Sequence, residues 1–291
     1  MTDSTQYRSG KGTGDENFPV ASWLVKSRHR PVIHAFYDFV RTADDIADHP
    51  ALPIDEKLAR LDSLEASLLG GGDELVGGRL WAMLRNRNLS PRHAQDLLHA
   101  FRQDVTKCRY NDWGELIDYC AYSAMPVGRF VLDVHSEMCS IWPASDALCT
   151  ALQIINHLQD CASDYKRIDR VYIPLNELSA RHVAVEALGE PRASPALLDA
   201  LHTLATRTAD LLERSRDLPA SVADSRLAVE ISVIQALAAR QLARLTFCDP
   251  LSELAHLSKA ARFAAAARGA ARGLLHRLLG ISPSVQRFQM P

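Results

Sequence analysis

Two acidic segments point to chemistry. Asp44-Asp45-Ile46-Ala47-Asp48 and Asp160-Cys161-Ala162-Ser163-Asp164 each hold carboxylates four residues apart inside an apolar, helix-forming stretch, a spacing that puts them on one helix face. A buried carboxylate without a partner is costly, so two such clusters call for a compensating positive charge. Oxygen ligands that leave room for water suit Mg²⁺, which typically joins one or two carboxylates to substrate phosphates. The implied substrate is a diphosphate. A single D-x-x-x-D is usually a solvated face; two of them, each with amide or guanidinium neighbours at helical spacing, argue for a site.

Those neighbours form two polar rows. Tyr37, Arg41, Asp44 or Asp45, and Asp48 step by three or four along one helix, and Gln153, Asn156, Asp160 and Asp164 do so along another, behind an expected Ser145 N-cap. Facing each other across a helical cavity, the rows would hold metal ions while Arg41, Arg170 and Tyr172 take phosphate oxygens.

The elements that must position these rows read as helical almost throughout. Ile33, Phe36, Val40, Ala43 and Ala47 make an apolar stripe in a helix that begins near Pro31 and ends at His49-Pro50. Further helical patterns cover about 55 to 69, 91 to 107, 113 to 139, 146 to 165, 195 to 216, 222 to 247 and 251 to 279. Gly70 to Gly78 reads as a loop, and only Arg170-Val171-Tyr172-Ile173-Pro174 hints at extended chain. Residues 1 to 17 read as a flexible arm, and 18 to 291 as one all-α domain.

Composition narrows the function classes. With 291 residues, 47% of them hydrophobic, the chain can bury a large core, and a net charge of −2 gives no reason to expect nucleic acid. Six cysteines without a C-x-x-C pair read as reduced thiols of a cytoplasmic protein. No run of about 18 uncharged apolar residues predicts a spanning helix. The histidines do not form H-x-x-x-H with a partnering Glu, which argues against a zinc hydrolase.

The motifs resemble a known family. Glu16-Asn17-Phe18-Pro19-Val20-Ala21-Ser22, Tyr37 to Asp48, Tyr119-Cys120 with Pro126-Val127-Gly128-Arg129, Leu152 to Asp160, Asp164, and Arg170 to Pro174 follow the order found in squalene and phytoene synthases. Within that family the resemblance is to the hydroxysqualene synthase branch of bacterial hopanoid biosynthesis. It implies the isoprenoid synthase fold, an all-α helical bundle around a central cavity, and presqualene diphosphate as substrate. By motif, Asp44, Asp45 and Asp48 would be the first metal cluster, with Asn156, Asp160 and Asp164 the second. Arg41, Arg170 and Tyr172 match positions near the diphosphate; Tyr37 and Gln153 match pocket-lining positions, and Tyr119 matches the substrate region. Gln159 and the Ser123 to Gly128 segment depart from the commoner pattern, and Pro126 there reads equally as a water site or a simple kink.

The implied chemistry is Mg²⁺-assisted loss of pyrophosphate, then rearrangement of a carbocation and its capture by water, with no NADPH. Aromatic faces such as Phe36, Tyr37 or Tyr119 would stabilise the cation by about 2 kcal/mol when desolvated. Two rivals stand beside this reading: head-to-head condensation of prenyl diphosphates, and a non-catalytic assembly role of the same fold, against which the intact acidic clusters argue. Lastly, Lys259, Arg262, Arg268, Arg272 and Arg277 share one half of a helical wheel, with Leu257, Phe263, Ala267, Ala271, Leu274 and Leu278 on the other. The expectation is either a last bundle helix that packs by its apolar half, or peripheral docking on anionic lipid at the inner membrane.

Overall fold

The structure, a computed structural model, describes residues 24–252 and 257–278. The expected arm at 1–17 and the Glu16 to Ser22 motif lie outside the described residues. Among those described, the elements are helices joined by short turns, with one parallel bridge between Arg109 and Val171.

Helix α1 (Arg30–Ala47) carries Pro31 in its first turn, where the missing N–H costs nothing. It buries Ile33, Phe36, Ala43 and Ala47, as the apolar stripe predicts. It packs with α2 (Ile54–Leu68), α3 (Leu75–Arg85) and α4 (Arg92–Thr106) around Leu61, Leu64, Leu80, Leu97 and Leu98, all fully or almost fully buried. Each of these leucines contributes about 2 kcal/mol by burial.

Helix α3 corrects the sequence reading, which made Gly70 to Gly78 a loop. Gly77 lies within the helix, and a Cβ there would stand 2.7 Å from Ser67 Cβ and 2.9 Å from the Leu64 carbonyl oxygen. Close approach to α2 requires glycine, and that packing overrides its poor helix propensity.

The stretch expected as one helix from 113 to 139 is two, α5 (Trp113–Ser123) and α6 (Met125–Val134), broken at Ala124. Pro126 stands in the first turn of α6, so it opens a new helix rather than kinking an old one. A short 3₁₀ turn then leads into α7 (Trp142–Ile168), whose 27 residues extend about 40 Å. Here too a boundary moves. Pro143 lies in the first turn and Ile141 takes the cap position, so Ser145 is not an N-cap but a buried residue inside the helix.

The short α8 (Leu175–Ser179) follows, then the 20-residue α9 (Pro195–Arg214) after a Ser194 cap. Next come α10 (Leu218–Ser221), α11 (Ser225–Leu245) capped by Asp224, and α12 (Lys259–Leu278). Residues of α5, α7, α9 and α11 share a second core that includes Leu116, Ile154, Leu201 and Leu242. Stacked rings of Phe36 and Phe130, 3.8 Å apart, tie α1 to α6.

The extended segment read from the sequence is a strap after α7. Asp169 ends that helix in a left-handed conformation. Val171 N–H then donates to the Cys108 carbonyl at 2.9 Å, and Leu175 N–H to the Tyr110 carbonyl at 2.9 Å. These bonds fix Arg170 and Tyr172 beneath the end of α4. No described helix is long and apolar enough to cross a membrane.

Candidate active site

Helices α1, α6, α7 and α11 enclose a cavity with a largely apolar wall. Phe36, Val40, Val131, Leu148, Leu152 and Ile231 face it, and Tyr37, Ser145, Cys149, Asn156 and Glu230 add polar atoms. The break at Ala124 brings Val127 and Gly128 into the wall. There the helices come close: a Cβ on Gly128 would lie 2.4 Å from Ser145 Oγ and 2.6 Å from Cys149 Sγ.

The acidic rows gather where α1, α4 and α7 meet the strap. On α1, Arg41 pairs with Asp44 at 3.1 Å and with Asp45 at 2.7 Å. Asp45 is buried against that guanidinium, whereas the side chains of Asp44 and Asp48 keep 33% and 27% of their surface exposed. Arg170 donates to Asp48 Oδ1 at 2.8 Å, to the Tyr172 hydroxyl at 3.3 Å and to the Asp104 carbonyl at 3.0 Å. Half-buried Asp160 and Asp164 follow Asn156 along α7.

The two rows meet electrostatically at one pair, Asp48 and Asp164. Although a third of its side chain stays open to solvent, Asp44 is crowded by protein on its other sides, and that desolvation raises its carboxyl to about 7, reinforced by Asp48 and opposed by Arg41. Burial, then Asp160 and then Asp48 raise Asp164 to about 7. Asp48 on α1 and Asp164 on α7 therefore repel one another. An oxygen-only donor set under such mutual repulsion fits divalent magnesium.

The sequence reading missed Asp104 on α4. It is 6% exposed, accepts from the Tyr119 hydroxyl at 2.8 Å and the Tyr172 hydroxyl at 3.2 Å, and lies 3.8 Å from Arg170. Burial raises it to about 6, against the pull of Arg170 and the Tyr119 hydrogen bond. A signal existed: Asp104 falls at i+7 from Leu97 and i+3 from Phe101, an acid on the apolar stripe of its own helix. Lys57 was also missed; it donates to the Ala47 carbonyl at 2.8 Å, and Asp48 and Arg170 both act on its charge.

Other expected residues divide between the two regions. Tyr37 and Asn156 line the cavity, whereas half-buried Gln153 is not among its lining residues. Tyr119 and Tyr172 are buried in the Asp104 network, so Phe36 and Tyr37, rather than Tyr119, offer aromatic surface to the cavity. The neutral His157 ring stacks on Tyr172 at 3.5 Å, its pKa lowered to about 3 by burial and Arg170. Gln159 is buried.

Comparison with known proteins identifies the relatives of this chain. The hydroxysqualene synthase of Rhodopseudomonas palustris is 55% identical over 285 residues, covering 97% of each chain. That of Zymomonas mobilis is 48% identical and covers 87% of this chain and 86% of its own. Among solved structures, squalene synthase HpnC from Alicyclobacillus acidocaldarius aligns with a TM-score of 0.66 at 26% identity, covering 96% of this chain and 94% of that one. A dehydrosqualene synthase aligns with a TM-score of 0.78 at 20% identity, covering 92% and 95%, a likeness of fold alone. The fold is the all-α isoprenoid synthase bundle. The family model for squalene/phytoene synthase matches residues 12–260, and the chain belongs to that family.

Proposed function

We propose that this chain is a hydroxysqualene synthase, a lyase that converts presqualene diphosphate and water into hydroxysqualene and pyrophosphate in squalene and hopanoid biosynthesis. The observation that supports the reading is that Asp48 of α1 and Asp164 of α7 act on one another, on the two helices whose Tyr37 and Asn156 line the apolar cavity.

Asp44, Asp48, Asn156, Asp160 and Asp164 are suited to hold Mg²⁺, and Asp45 is better suited to fix Arg41, with which it pairs. Bound there, Mg²⁺ supplies positive charge for the departing pyrophosphate. Arg41 and Arg170 present guanidinium groups to the same oxygens, and Asp48 and Asp104 hold Arg170 in place. Heterolysis of the C–O bond leaves its electron pair on pyrophosphate and a cyclopropylcarbinyl cation in the cavity. Phe36 and Tyr37 offer π faces to that cation, and the apolar wall excludes bulk water. Rearrangement opens the ring; water forms the new C–O bond and loses a proton to the released pyrophosphate or to solvent. Ser145 and Glu230, polar groups in an apolar wall, are suited to hold that water.

The test is the source of oxygen. Purified enzyme given presqualene diphosphate and Mg²⁺ in H₂¹⁸O should yield a C30 alcohol carrying one ¹⁸O, without NADPH. Squalene formed only with NADPH would identify a reductive enzyme, and consumption of farnesyl diphosphate alone would identify a condensing one. No turnover of either substrate would favour a non-catalytic role.

A further inference from the structure

The wheel of α12 is turned opposite to the simplest expectation. Its packed face is a ridge of small residues, Ala265, Gly269 and Gly273, spaced by four. A Cβ on Gly269 would lie 2.6 Å from the Ser232 carbonyl oxygen and 2.7 Å from Val233 Cα, and one on Gly273 would lie 2.9 Å from Ser232 Oγ. Glycine therefore lets the two backbones touch. The larger apolar side chains are left outside: Phe263 is 77% exposed, Leu274 55% and Leu275 54%.

At 100° per residue, Phe263, Ala264, Ala267, Ala271, Leu274 and Leu275 share an uncharged arc about 120° wide, opposite the ridge. Arg268 and Arg272 border it on one side and Lys259 on the other, and the helix has no acidic residue. A monomeric soluble protein rarely leaves so continuous an apolar stripe in water.

We infer that this face docks α12 on an anionic lipid surface. The apolar arc enters the acyl boundary while the arginines and lysine at its borders meet the lipid phosphates. A second copy of the chain fits worse, because a two-fold contact would set the same cationic borders against each other. The position suits an enzyme with a greasy substrate. Ser232 and Val233 of α11 meet α12, while Ile231 and Ile234 of the same helix line the cavity. Leu24 packs against the Val233, Leu237 and Ala265 cluster that joins α11 to α12, and its neighbour Val25 lines the cavity. The inference stands on the helix alone and not on the identity of the product.

The test uses the full chain and phosphatidylcholine vesicles with or without phosphatidylglycerol. Flotation should show binding that requires phosphatidylglycerol, weakens at high salt, and falls roughly tenfold or more in Phe263→Ser/Leu274→Ser and in Arg268→Glu/Arg272→Glu. Hydrogen exchange on the unaltered protein should show residues 259–278 protected when anionic vesicles are added, which covers the case of a variant that does not fold. Equal binding to neutral vesicles, no vesicle-dependent protection, or a dimer by light scattering that the Phe263→Ser/Leu274→Ser pair dissolves would each overturn the inference. The last result would assign the face to a second copy.

Discussion

Asp104 offers the sharpest test of how the site is held together. Asp104→Leu leaves the buried hydroxyls of Tyr119 and Tyr172 without their 2.8 Å and 3.2 Å acceptor and removes one of the charges facing Arg170. Breaking a buried ionic partnership from one side costs about 3–5 kcal/mol, and for a chain of this length each kcal/mol moves Tm by about 2 °C. The expected drop is thus roughly 6–10 °C in a thermal melt by circular dichroism. Arg170→Met should cost a similar amount, because it leaves Asp48 and Asp104 facing each other without the guanidinium. The double variant Asp104→Leu/Arg170→Met should lose clearly less than the sum, with a coupling of about 1–3 kcal/mol, and should recover no turnover, since Arg170 is also assigned to the diphosphate. Additive losses, or a single variant that melts within about 2 °C of the parent, would refute the reasoning that these two groups support one another.

Three further outcomes are expected. Glu230→Leu should divert product from the alcohol toward eliminated hydrocarbons, read by product mass analysis, with substrate consumption largely retained. Gly128→Ala should cost about 1–3 kcal/mol by overpacking, and Ser145→Ala/Cys149→Ala should restore most of it, because the colliding atoms are those two side-chain termini. Burial, then His135, Arg28 and Arg87, hold His29 at about 4, with Asp224 pulling the other way. The unfolded chain therefore binds a proton that the folded one refuses, so stability should fall between pH 6.5 and about 4, by at most about 3 kcal/mol, and His29→Asn should flatten the Tm profile there.

Local periodicity made much of this legible in sequence. The stripes of α1 and α7 follow from a 3.6-residue repeat, and the same repeat sets Asp44 with Asp48 and Asp160 with Asp164. What escaped depends on contacts between distant segments. Gly77 looks like a helix breaker until Ser67 is seen 2.7 Å from its missing Cβ. Asp104 is one acid with no motif around it, and its partners Tyr119, Arg170 and Tyr172 come from α5 and the strap. The outward turn of α12 had the same cause, since a wheel gives the faces of a helix but not which of them the neighbour prefers. Close backbone contact at Gly269 and Gly273 decided that.

Helix α7 places unlike tasks along one rigid rod. Ser145, Leu148, Cys149, Leu152 and Asn156 span the cavity wall over about 16 Å, and Asp160 and Asp164 continue the same helix for about 12 Å more. A continuous helix cannot slide one end relative to the other, so the distance from the acidic end to the far wall is set by a count of residues. With the diphosphate at the acids, as proposed, that count would set the length open to the tail. A bulkier side chain at Ser145 or Leu148 would shorten the space for the hydrocarbon tail and leave the acids where they are, whereas a one-residue insertion between Leu152 and Asn156 would turn the acids about 100° away and disable every substrate alike.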